Sequence, residues 1–125
     1  MATERRGVVP LEHHRNKVSA DLWALFEEVN QVTCGLSKGV GRKVTATAIS
    51  YYFHDRCFLY LEFRRDWLRV SLFAGFAGAR DLPGVDEHIM KGTAKVGIIR
   101  FRDKSQMERV RSTISEAYKR VSEVT

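Results

Sequence analysis

Apolar residues recur along the first quarter of the chain at helical steps. Leu11, Val18, Leu22, Leu25, Phe26, Val29 and Val32 are spaced by three, four and seven, which lines them up on one stripe of an α-helix ending near Val32. Pro10 suits the first turn of such a helix, so residues 1–10 read as a flexible tail ahead of a single domain over 11–125. The segment CGLSKGVGRK, residues 34–43, has three glycines and no apolar period, and predicts a loop.

The period then changes to two. The runs 44–53, 57–63 and 67–73 are rich in Val, Thr, Ile, Tyr and Phe, the composition of strands. His54-Asp55-Arg56 and Arg64-Arg65-Asp66 are connections short enough for an antiparallel meander. Gly75, Gly78, Pro83 and Gly84 punctuate residues 74–93, expected to form a long loop with a short helix near 86–90. A fourth strand over 95–102 leads to the final helix. Asp103 with Gln106 three residues on resembles a capping box, and Met107, Val110, Ile114, Ala117, Tyr118 and Val121 mark the buried stripe that follows. The expected fold is α+β: a four-stranded, mainly antiparallel sheet flanked by an N-terminal and a C-terminal helix, both on one face.

Strand alternation then divides the hairpin. Cys57, Leu59, Leu61 and Phe63 should join Leu68, Val70 and Leu72 beneath the helices. Phe58, Tyr60, Glu62 and Arg64 should share the second face with Trp67, Arg69, Ser71 and Phe73. This second face mixes rings and guanidinium groups.

Composition narrows the class. The 125 residues suit one domain, and no apolar run approaches the roughly 18 residues of a transmembrane helix. No membrane partner is expected. The N-terminus has no apolar signal core, so a cytoplasmic location is the default expectation. Cys34 and Cys57 fit no metal spacing and read as free thiols. With 21 Lys and Arg against 15 Asp and Glu, the net charge is +6, which makes polyanions plausible partners.

No catalytic constellation is visible. His13, His14, His54 and His88 lack the spacing of a metal site, and the acidic residues fall beside turns and helix starts, where capping explains them. FAGFAGARDLPG has glycines but neither G-K-[ST] nor G-x-G-x-x-G, so it reads as an ordinary loop. Glu116 and Arg120 read as an i, i+4 pair on a solvated face. A metal, cofactor or catalytic role is not expected.

A resemblance adds to this reading. LWALFEEV, KVTATAISYYF, CFLYLEFRRDWLRVSLF and KVGIIRFRDKSQMERVRSTISEAYKRV, in that order, look like a small bacterial domain of unknown function. That domain occurs alone or at the C-terminus of restriction-nuclease-like chains and is sometimes labelled "predicted transport protein". The likeness covers about residues 20 to 122, and its most specific part is the strand and helix ending in Ala117-Tyr118. MKGTAKVG stands where that family usually has a glycine- and tryptophan-containing stretch. A fainter likeness is to the double-wing DNA-binding group. The resemblance implies an accessory domain near DNA and supplies no catalytic residues.

The leading expectation is therefore a non-catalytic module that binds nucleic acid, an accessory domain of a bacterial defence or DNA-processing system. Arg64, Arg65, Arg69, Arg100 and Arg102 would hold phosphates, and Tyr60 and Trp67 would stack bases. The alternative is a protein-interaction or homodimerisation domain, because aromatic residues and Arg also concentrate at protein interfaces. A third possibility is a small-molecule site under the 74–93 loop.

Overall fold

The computed structural model describes residues 8–124. Its elements are α1 (Glu12–Arg15), α2 (Ala20–Cys34), β1 (Val40–Val44), β2 (Ile49–Phe53), β3 (Arg56–Phe63), β4 (Leu68–Phe76), β5 (Glu87–Lys91), β6 (Ala94–Phe101) and α3 (Met107–Glu123). The strands form one antiparallel sheet in the order β1-β2-β3-β4-β6-β5. The expected α+β fold with helices at both ends holds, but the sheet has six strands among the described residues rather than four.

Both additional strands lie at the edges. The run expected as one strand over 44–53 is a hairpin: Thr45 N–H donates to Ala48 O at 2.9 Å, and the Thr45 hydroxyl accepts from Ala48 N. A Thr side chain that satisfies nearby backbone in this way competes with strand continuation. The expected loop over 34–43 therefore ends in β1, whose Gly41, Arg42 and Lys43 are exposed. At the other edge, the expected helix near 86–90 is β5. Lys91 pairs with Ala94 across a two-residue tip in which Gly92 has φ of 64°, a conformation that suits glycine.

The first helix is also divided. Ser19 adopts an extended conformation, and its hydroxyl accepts the Leu22 N–H at 3.1 Å, so α2 starts there with its own N-cap. Leu11 and Val18 still pack against the core, from outside α2. Of the expected tail, residues 1–7 lie outside the described residues; Val8 bridges to Thr45, and Val9 N–H donates to Val44 O.

His14 ties this N-terminal segment down. It is buried against Phe63, and its Nε2 lies 2.6 Å from Thr45 O. A carbonyl only accepts, so Nε2 carries the proton of a neutral ring. Burial holds the imidazole below the ordinary histidine pKa, with help from His13 and Lys17 and against the Thr45 hydrogen bond. The folded pKa lies below the unfolded one, so the unfolded chain binds the proton more readily, and stability falls as pH drops below about 6.5. Hydrogen exchange of amides 12–17 should quicken between pH 7.5 and 5.5 beyond the intrinsic pH effect. His14→Gln should remove that increment, and an equal increment in both proteins would exclude His14 as its source.

The core lies between one sheet face and the helices. Phe26 and Val29 of α2 and Val110, Ile114 and Ala117 of α3 meet Leu59, Leu61, Val70, Leu72, Ile99 and Phe101, all essentially inaccessible. The expected capping box forms: Asp103 accepts from Ser105 N, and Gln106 returns to the Asp103 backbone. It opens a short 3-10 turn, Lys104–Gln106, that runs into α3. On β2, the Tyr51 hydroxyl reaches Asn30 Oδ1 at 2.7 Å, and burial pushes its pKa upward.

Candidate functional site

The helices and the 77–86 segment pack on one side of the sheet, which leaves the other side open among the described residues. Strand alternation populates it with Lys43 from β1, Ser50 and Tyr52 from β2, Tyr60 and Glu62 from β3, and Arg69, Ser71 and Phe73 from β4. Val96, Ile98 and Arg100 of β6 and Glu87, Ile89 and Lys91 of β5 complete it.

A bulge changes one expected assignment. Tyr51 pairs with Leu59 but Tyr52 pairs with Cys57, so Phe58 is an extra residue in β3. A bulge breaks the period of two. Phe58 therefore turns inward beside Leu59, with its ring 5.5 Å from that of Tyr118 on α3, and it is not part of the second face. Cys57 instead borders the open side, where burial raises its thiol pKa.

Register brings Trp67, Arg69, Arg100 and Arg102 together at one end of this face. The Arg100 and Arg102 guanidinium carbons lie 6.0 and 5.7 Å from a Trp67 ring centroid, within cation–π range. Arg69 and Arg100 are direct cross-strand partners, a like-charge pairing that is unfavourable alone. Two carboxylates flank it: Arg69 Nε is 3.8 Å from Glu62 Oε1, and Arg100 Nη2 is 2.9 Å from Glu87 Oε1. The result is a row across four strands with the charges −, +, + and −.

Arg64, Arg65 and Arg102 are exposed and form no ion pair among the described residues. Arg65 and Arg102 also line a groove of about 590 Å³ that runs between the hairpin tip and the start of α2. Lys104 adds a third cation there, and Asp21, Asp66 and Asp103 supply three anions.

Tyr60 stands apart from this cluster. It pairs with Ser71, four residues from Trp67 along β4, or about 13 Å at strand rise. Lys91 Nζ donates to its hydroxyl and sits 4.4 Å from its ring centroid, so its polar end is already engaged. Sequence reasoning missed Lys91 because it placed that segment in a loop. The turn signal Lys91-Gly92-Thr93 ahead of an apolar run could have found it.

Beside the 74–93 segment lies a hollow of about 690 Å³ lined by Phe73, Arg80, Lys119 and Arg120 among others. Arg120 directs its donors to backbone carbonyls and Glu116 there. Among the described residues, no group of three His, Cys, Asp or Glu side chains is placed to hold a metal, and no helix is long and apolar enough to cross a membrane.

Residues 12–120 match the family described as "Domain of unknown function (DUF5655)". The chain belongs to this family. The match spans α1, α2, the whole sheet and α3 as far as residue 120, so the open face and its arginine cluster lie inside the DUF5655 domain. No curated protein and no solved structure matches the chain.

Proposed function

We propose that this DUF5655 domain is a non-catalytic module that engages nucleic acid at the Trp67 end of its open sheet face. The observation that carries the reading is Trp67 set against Arg100 and Arg102, with Arg64, Arg65 and Arg102 lacking carboxylate partners among the described residues. A partly exposed indole offers a face for a base, and uncompensated guanidinium groups suit phosphates. Arg69 and Arg100 serve differently, since Glu62 and Glu87 hold them in place as the floor of the site. The resemblance to domains that accompany nuclease-like regions agrees with an accessory role near DNA.

The test is fluorescence anisotropy with a labelled single-stranded oligonucleotide across a salt series. Three phosphate contacts predict a log–log slope of about −2 for a single strand. The triple variant R64A/R65A/R102A should bind at least about tenfold more weakly with a slope near zero, while its melting temperature stays within a few degrees of the parent. Unchanged affinity would remove these residues from the site.

A second reading is favoured by the opposite end of the face, where Phe76 is 52% exposed and its ring lies 5.6 Å from that of Phe73. A partner protein or a second copy would cover these rings. Light scattering in the same buffers separates the readings, since the nucleic-acid proposal expects a monomer that binds the oligonucleotide.

A further inference from the structure

Tyr60 and Lys91 belong to strands separated by β4 and β6, three strand spacings or about 14 Å apart, and the register offsets them by a further four residues along the strands. Their side chains nevertheless meet across that gap, the ammonium donating to the phenol oxygen 4.4 Å from the ring centroid. They form a strap over the open face. Beneath it is a hollow of about 160 Å³ bordered by Cys57, Ser71, Phe73, Ala94 and Val96.

Two features set this hollow apart from ordinary sheet surface. Val96 and Ile98 are buried, yet they stand outside the main core cluster on a face that no described element covers. Ser71 is only 1% exposed, and its Oγ is a buried side-chain oxygen with no hydrogen-bond partner among the described residues. Buried hydroxyl groups are nearly always met, and an unmet one calls for an explanation. At the rim, Lys91 has no carboxylate partner among the described residues.

We propose that this hollow binds a small aromatic carboxylate. The size is that of a cavity able to hold one benzene ring, and the walls are apolar carbon and the Cys57 sulfur apart from Ser71 Oγ. The carboxylate takes the Lys91 ammonium and the Tyr60 hydroxyl at the rim, a charge-assisted contact stronger than the ammonium–phenol bond it replaces. A hydroxyl at the far side of the ring meets Ser71 Oγ. The site is separate from the Trp67 cluster and does not depend on nucleic-acid binding.

The probe is 4-hydroxybenzoate, titrated at millimolar concentration into the full chain and followed by amide chemical shifts. Saturable shifts are expected at Tyr60, Ser71, Lys91 and Val96. 4-Hydroxybenzamide, which has the same shape without the charge, should bind at least tenfold more weakly. Lys91→Met should abolish that difference, and Ser71→Ala should abolish the preference for 4-hydroxybenzoate over benzoate. Ser71→Ala removes an unmet buried polar group, so its melting temperature should hold or rise, which keeps the test readable. R64A/R65A/R102A should bind the probe as the parent does, so failure of the nucleic-acid reading leaves this result intact. Absence of saturable shifts, shifts centred on Trp67, or equal binding of acid and amide by the parent would each overturn the proposal.

Discussion

Replacing Arg120 by Met is expected to lower stability by about 2–4 kcal/mol, because it leaves a buried carbonyl without its partner. Arg120 Nη1 donates to Ala74 O and to Arg80 O, each at 2.6 Å; Nη2 donates to Asp81 O at 3.3 Å, and Nε to Glu116 Oε2 at 3.2 Å. Methionine keeps much of the apolar stem and removes all four bonds. The carbonyls of exposed Arg80 and Asp81 can turn to water, but Ala74 is fully buried and its carbonyl has less recourse. Urea denaturation measures the loss, and hydrogen exchange over 74–82 should show the segment released. Arg120→Lys should recover little, since a point charge cannot serve three carbonyls held in a fork. A loss under about 0.5 kcal/mol, the range of ordinary surface changes, would place the anchorage of this segment elsewhere.

Gly97→Ala is expected to cost about 2 kcal/mol by overpacking. A Cβ at this β6 position would lie 2.8 Å from Val85 Cγ1 and 3.5 Å from Leu82 Cδ1. The loop cannot easily retreat, since it is held by Arg109 on the Gly84 carbonyl, Asp86 N–H on the Ile98 carbonyl, and His88 on the Leu82 amide. Val85→Ala removes the clashing methyl groups. The double variant should therefore be more stable than the sum of the single losses by about 1 kcal/mol, the coupling typical of touching residues. Strict additivity in thermal or urea unfolding would show that the two positions do not share the contact.

Of these two residues, Gly97 lies in the strand expected over 95–102, whereas sequence reasoning placed Arg120 differently. Arg120 reads as one half of an i, i+4 pair with Glu116 on a solvated face, and that pair does form. Its larger role depends on carbonyls 39 to 46 positions away, which no local period reports. The N-terminal stripe suggested one helix because apolar spacing cannot register the competing cap at Ser19. The edge strands β1 and β5 were missed since each buries little of its length, leaving little alternation to detect. The bulge at Phe58 reversed one aromatic residue on the second face, and a single inserted residue carries no signature in composition.

The candidate site divides in the same way. That Trp67 shares a face with Arg69, and Arg100 with Arg102, followed from alternation within each strand; that the two pairs lie side by side followed from the β4–β6 register. The pairing of Arg69 with Glu62 and of Arg100 with Glu87, which leaves Arg64, Arg65 and Arg102 without a carboxylate among the described residues, followed only from the register of four strands. The Tyr60–Lys91 strap needed the strand order itself.

The chain alone therefore determined what neighbours in sequence decide: the α3 stripe, the Asp103–Gln106 cap, the alternation of Leu59 with Leu61 and of Leu68 with Val70 and Leu72, and the net positive charge. Tertiary structure decided the six-strand count, the bulge, the fate of Arg120, and which charges and hydroxyls find partners. The physical reason is range. Helix and strand periodicities are set by bonds and burial within a few residues, whereas register, edge pairing and the balance of buried polar groups are energies shared between segments that meet only after the chain has folded.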